Sequence, residues 1–383
     1  MGTLLGKLGT NFLTAAFVPS LWFVISFELL FSRLDPAGPA SIIAPPQSLL
    51  EDSLITLVFT LVIGLTLMGL NTFLYKLLEG YYVLGKLSPL WRRQLRKYHK
   101  RQQAYEARER LEKHLLTLVE TEQDEERRQR RSEQLNELQR VNRDLKAAFK
   151  QDYPSRVNAI LPTRFGNILK SAELYANENY AIDSVTMWPR LIHVIAPQYY
   201  RKLDDSNNGL AFTINCMVLA FTLSVLCLSA WGYRAYQDNS ATSLATAQAL
   251  QVVGSSADSG QAAAAIGPGA REEETRTPLP NPLLYLGGAV FFAGVGWFFY
   301  NASLPAARQY GNLFRSAFDL FRFNLLAQLH LPLPENETEE YEIWNLLSGF
   351  MALGELDAPR DNRQFSYVHP DANRPKPGEE ASD

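Results

Sequence analysis

The residues that could carry chemistry occur in a few spacings, and most lack the surroundings their chemistry needs. Gly80-Tyr-Tyr-Val-Leu-Gly85-Lys86 has the opening spacing of a phosphate-binding loop, but position 87 is Leu rather than a magnesium-holding Ser or Thr. A phosphate cradle also needs a strand, a flexible loop and a helix N-terminus. Here the loop positions are bulky and apolar and no strand pattern precedes them, so nucleotide binding is not expected. The histidines, His99, His114, His193, His330 and His369, form neither His-Glu-x-x-His nor a close Cys/His cluster, so no metal is expected. Cys216 and Cys227 both fall in one apolar run and imply no disulfide framework. No Gly-x-Ser-x-Gly element occurs, so a nucleophile elbow is unsupported. The expectation is a chain without catalysis or cofactor. Its net charge of −3 gives no general field for nucleic acid.

The polar residues that remain form three sets. The first is Arg164, Asn167, Glu173, Asp183 and Arg190, with Trp188, inside the mixed polar and aromatic stretch 160–205. It reads as a partner-binding site or as a structural polar network, because buried charges usually pair with one another. The second is Arg308, Arg315 and Arg322, an arginine stripe recurring every seven residues on a helix whose other face carries Phe314, Phe318, Phe321 and Leu325. Those arginines are expected to reach water or lipid, with docking of an acidic partner or lining of a vestibule as the sharper reading. The third is Glu28 and Asn215, polar residues inside apolar runs. Glu28 reads as an interface anchor or a permeation residue. Asn215 reads as a cross-helix hydrogen-bonding group, and the small residues Gly288, Ala289, Ala293, Gly294 and Gly296 as a close-packing surface.

In the first set two elements stand out: Leu161-Pro-Thr-Arg-Phe-Gly-Asn167 and Trp188-Pro-Arg190. In them the chain resembles a group of uncharacterised bacterial multi-pass membrane proteins carrying a Leu-Pro-Thr-Arg-x-Gly-Asn element followed by Trp-Pro-Arg. The matching positions are Leu161, Pro162, Thr163, Arg164, Gly166, Asn167, Trp188, Pro189 and Arg190. The resemblance implies a multi-pass membrane protein and no particular activity.

The elements that must position these residues begin with four nearly charge-free windows: Asn11–Phe31, Leu54–Leu74, Leu210–Ala230 and Leu283–Tyr300. About 20 apolar residues cross a bilayer core, so each is expected to span, and the first is read as a span rather than a cleaved signal because another follows closely. Lys76, Lys86, Arg92, Arg93, Arg96 and Lys97 follow the second window, and Arg190, Arg201 and Lys202 precede the third. The alternate loops are poorer in cations, with Arg33 in one and Arg234, Arg271 and Arg276 in the other. The positive-inside rule then places the central segment and both termini in the cytoplasm, in the bacterial plasma membrane.

The expected domains are a first transmembrane hairpin (1–75), a cytoplasmic helical domain (76–209), a second transmembrane hairpin (210–300) with a flexible external loop at 232–281, C-terminal helices (301–355) and a disordered tail (356–383). Between Pro89 and Pro154 there is no Gly or Pro, and Arg, Glu, Gln, Lys and Leu dominate, which favours helix. A helical hairpin over 90–153, turning within Glu122–Arg131, is expected there. Short helices are expected at Asn167–Tyr175 and from near Pro189. The basic run Arg92–Arg101 is first a topology signal, and could also meet anionic lipid.

The fold class is therefore all-α: an integral membrane protein of two transmembrane hairpins with a cytoplasmic helical domain between them. The function expected first is a membrane-anchored scaffold or signal-coupling protein with a protein partner or a second copy of itself. The alternative is an oligomeric ion channel, since bestrophin-type channels have a similar layout, although their neck motif is absent here.

Overall fold

The computed structural model describes residues 11–33, 49–82, 88–258, 282–353 and 367–368. These residues are all-helical, with no strand among them, and four of the helices are long and apolar enough to cross a membrane. The chain divides into two compact units. One comprises Met1–Asn71 with Ala211–Ala302, and the other Thr72–Leu210 with Ser303–Asp383.

In the first unit, helix α1 is π-helical at Leu13–Phe17, α-helical at Val18–Glu28 and π-helical again at Leu29–Arg33. Helix α2 covers Leu49–Glu79, α7 covers Pro197–Asp258 and α8 covers Pro282–Gln328, and these three contribute residues to both units. Lipid tails are as apolar as leucine, so spans associate through close packing and hydrogen bonds rather than through water exclusion. The contacts follow that rule. Leu30 and Phe31 of α1 pack with Leu223 and Cys227 of α7 and with Tyr285 and Phe292 of α8. Ser224 Oγ donates to the Ala289 carbonyl at 2.8 Å. A side chain at Gly288 would meet Cys227 Sγ at 3.2 Å, and one at Gly296 would meet the Phe221 ring at 2.9 Å, so both glycines are used for contact inside this chain. Helix α2 is the least covered of the four: 17% of its apolar window is buried, and Leu54, Val62 and Leu65 are each more than half exposed. So much apolar surface suits lipid as solvent and not water.

The second unit holds the polar helices. Ser88 caps α3 (Pro89–Thr121) by accepting from Trp91 N at 3.1 Å, with Pro89 at the first helical position. Asp124 caps α4 (Glu125–Asp152) by accepting from Glu126 N. The turn between them is Glu122–Asp124, inside the charged stretch Glu122–Arg131 where a turn was expected, and Glu125–Arg131 already belongs to the second arm. Glu122 pairs with Arg131 at 2.6 Å, Glu112 accepts from Asn142 at 2.7 Å, and Arg101 pairs with Asp152 at 2.9 Å. Those pairings run the two arms antiparallel. At the foot, Tyr98, Phe149, Tyr153 and Ile160 form a small core, and Trp91 Nε1 donates to the Ile160 carbonyl.

The main core of this unit is built by α5 (Arg164–Tyr180), α6 (Ser184–Leu191), α9 (Glu337–Leu353) and the adjoining parts of α7 and α8. Phe318, Trp344, Leu326, Met187 and Leu191 are buried in it. Both α5 and α6 are longer or earlier than their apolar spacing predicts. Thr163 caps α5 through Gly166 N, and Asp183 caps α6 through Val185 N, so the caps set the starts and Pro189 lies inside α6.

Two further expectations need correction. Helix α7 continues to Asp258, so the first part of the loop expected at 232–281 is helical, as its Ala, Leu and Gln content allows. Residues 259–281 lie outside the described residues. Helix α8 does not stop near Tyr300 but passes Pro305 and runs to Gln328, joining the fourth apolar window to the arginine helix. The expected disordered tail (356–383) lies outside the described residues apart from 367–368, as do His369 and residues 83–87 of the phosphate-loop spacing.

Candidate functional site

The Leu161–Asn167 element is a clasp. Asn167 is fully buried, and its amide makes three bonds: Oδ1 accepts from Leu161 N at 2.7 Å, while Nδ2 donates to the carbonyls of Leu161 (2.9 Å) and Thr163 (2.7 Å). This fixes the turn before α5. Thr163 Oγ1 accepts from Gly166 N and donates to the Leu78 carbonyl at 2.6 Å, which ties the same turn to the end of α2. Gly166 meets that end directly, because a Cβ there would lie 2.9 Å from Glu79 Cα. Opposite it, Gly80 has φ +93°, a left-handed conformation suited to glycine, and packs against the Pro162 ring. Pro162, Thr163, Gly166 and Asn167 therefore share one task, seating α5 on the end of α2.

The rest of the first polar set serves separate local purposes. Glu173 pairs with Lys170 at 2.5 Å and gives its carbonyl to Ser184 Oγ. Burial pulls the Lys170 ammonium down, but the Glu173 carboxylate outweighs this and holds it above its ordinary value. Asp183 caps α6 and accepts from Thr186 Oγ1, its backbone N–H donating to Ser348 Oγ of α9. Arg190 Nη1 donates to the Thr186 carbonyl. Trp188 packs against Phe314 with tilted rings, centroids 4.5 Å apart. Arg164 stands half-buried at the start of α5. Among the described residues, no ion pair joins Arg164 or Arg190 to Glu173 or Asp183, so these residues are not brought together as one network.

The arginine stripe departs further from expectation. Its members turn to other helices of the same unit and not to water or lipid. Arg308 Nε donates to Asp152 Oδ1 at 2.7 Å, and Arg101 takes the other carboxylate oxygen. Burial pushes the Asp152 carboxyl up, but the Arg308 and Arg101 guanidiniums outweigh it and hold it below its ordinary range. Arg322 Nε donates to Glu340 Oε1 at 2.5 Å and lies 4.2 Å from the Tyr180 ring centroid. Arg315 differs: it donates to Ser171 Oγ, the Lys150 carbonyl and Asn312 Oδ1, all neutral acceptors. Sequence reasoning missed Asp152, Glu340 and Asp319, which accepts from the Tyr175 and Tyr180 hydroxyls. Only the carboxylate type marks them in the sequence, since Asp152 lies 156 positions from Arg308.

In the apolar unit, Asn215 Nδ2 donates to the Ala15 carbonyl at 2.7 Å, joining α7 to α1, and Glu28 accepts from Thr56 Oγ1 at 3.2 Å, joining α1 to α2. On the basic run Arg92–Arg101, Gln94 and Tyr98 are buried while Arg92, Arg93, Arg96, Lys97 and Lys100 are exposed. Among the described residues, no group of three or more His, Cys, Asp or Glu side chains could hold a metal ion. No protein-family model, curated protein or solved structure matches the chain.

Proposed function

We propose that this chain is a membrane-anchored scaffold or signal-coupling protein that acts without catalysis through its polar helical unit. In this reading the four apolar helices lie in the bacterial plasma membrane, with the polar unit and both termini cytoplasmic and Arg92–Arg101 facing anionic headgroups. The observation that carries the reading is the outer part of the α3–α4 hairpin. Among the described residues, each hydrogen bond, ion pair and cation–π contact that ties residues 102–148 to another helix joins the two arms to one another. Along it Leu111, Leu116, Val141 and Leu145 are between 40% and 49% exposed. Leu111 and Val141 each precede one partner of the Glu112–Asn142 bond, so they stand at one level of the hairpin. Val141 and Leu145 share a face by spacing. Apolar residues presented in this way on a charged hairpin fit a partner helix.

The test is site-specific photocrosslinking in cells making the full chain. A crosslinking side chain at 111 or 145 should give a discrete adduct, and one at Arg128 should not. The Leu111→Glu/Leu145→Glu pair should abolish the adduct formed from position 141. An adduct of twice the chain mass would identify the partner as a second copy. Absence of adducts from all three apolar positions would overturn the scaffold reading. Ion currents from the purified chain in bilayers would replace it with the channel reading.

A further inference from the structure

Two of the three arginines in the α8 stripe end on carboxylates, and the third does not. Arg315 has only neutral acceptors, and its Nε is buried with no hydrogen-bond partner. Among the described residues no ion pair reaches this guanidinium; Glu178 and Asp319 act on it only at longer range, and a cation withdrawn from water gains from a direct counter-charge. Arg315 also lines a cavity of about 350 Å³ at the foot of α4. Lys150 and Arg156 line the same cavity, and Arg156 bonds the neutral Asn177 Oδ1 at 2.9 Å. Glu178 is the carboxylate on the wall, and one of its oxygens accepts from the Ser155 hydroxyl at 2.8 Å. Asp319, the next acid, accepts from Tyr175 and Tyr180. Three cationic residues and one carboxylate therefore line a space of the size that takes a small solute.

We propose that this cavity binds a phosphoryl group. Arg315 would supply the fixed guanidinium at the inner end, and Arg156 and Lys150 would close over the anion from the rim. Planar guanidinium groups match phosphate oxygens with paired N–H donors. The group could arrive on a soluble phosphorylated solute or on a lipid headgroup. The site stands apart from the outer hairpin, so it holds whether or not that surface docks a partner.

The experiment is thermal unfolding of the full chain in phosphatidylcholine nanodiscs, titrated with inorganic phosphate against chloride at equal ionic strength. The expected result is a saturable rise in melting temperature, since a ligand of the folded state stabilises it. In Arg156→Gln and Lys150→Gln, both exposed rim positions, the half-effect concentration should rise about tenfold. Arg315→Gln is not needed for the test, because its bonds also hold the fold. A parallel arm replaces phosphatidylcholine by phosphatidylglycerol. Stabilisation by that lipid, lost in Arg156→Gln and without any effect of free phosphate, assigns the lipid as the source. No saturable effect in either arm, or rim variants that respond to phosphate and to the lipid as the unsubstituted chain does, overturns the proposal.

Discussion

Asn167 sets the seat of α5, because each of its amide atoms is committed to the turn it clasps. Asn167→Ala leaves the partly buried Leu161 N–H without that partner, which costs about 1–3 kcal/mol. Asn167→Asp keeps the shape but loses both donors, so it should lower the melting temperature at least as far. Gly166→Ala should be worse tolerated than its size suggests, since the new methyl meets the Glu79 backbone, which cannot swing away. Gly349→Ala is the matched control: nothing lies within 4 Å of its added Cβ, and Ala favours helix, so its melting temperature should hold or rise. Asp152→Asn should cost about 2 kcal/mol, having broken two charge-assisted bonds. The Asp152 carboxyl is held below its ordinary value of 3.8, so its contribution is full above that value and is lost as pH falls through the lower folded value. The gap between wild type and Asp152→Asn should therefore stay constant near neutral pH and close only in strong acid. A gap that closes near pH 6 would assign the effect to another group.

At the scale of elements, the hairpin should be the least uniform part of the polar unit. Its foot has the Tyr98–Phe149–Tyr153 cluster and Asp152, whereas among residues 102–148 only Leu135 and Asn142 are buried. Hydrogen exchange should be slow at the foot and fast toward the Glu122–Asp124 turn, because local opening is easiest where few apolar contacts are lost. Uniform protection along both arms would mean that the outer part is covered. The helical character of this segment was legible in the sequence, because nothing between Pro89 and Pro154 interrupts it. Its exact turn was not, since helix propensity is high throughout and the Asp124 cap decides it. The continuity of α8 was not legible because the apolar window ends at Tyr300, where the composition changes but the helix does not; Pro305 lies inside it. The stripe of Arg308, Arg315 and Arg322 was legible by its period, but not its direction. That depends on Asp152 and Glu340, which reach it only once the chain has folded back.

For the whole molecule, the central claim is that lipid is the solvent for four stretches and that the polar unit lies on the inner face. Hydropathy makes the stretches plain, because a helix that crosses a bilayer must be long and apolar with its backbone bonds closed internally. The lengths go beyond crossing. Helix α7 has 62 residues, about 93 Å at 1.5 Å per residue, against a core of roughly 30 Å. The most direct measurement is labelling of single introduced cysteines in intact cells with a membrane-impermeant maleimide. The native Cys216 and Cys227 are buried and give little background. The account predicts that Gln237→Cys, exposed on α7, reacts from outside, and that Arg127→Cys, exposed at the start of α4, reacts only after the membrane is opened. Reaction of Arg127→Cys in sealed cells, with Gln237→Cys protected, would contradict it.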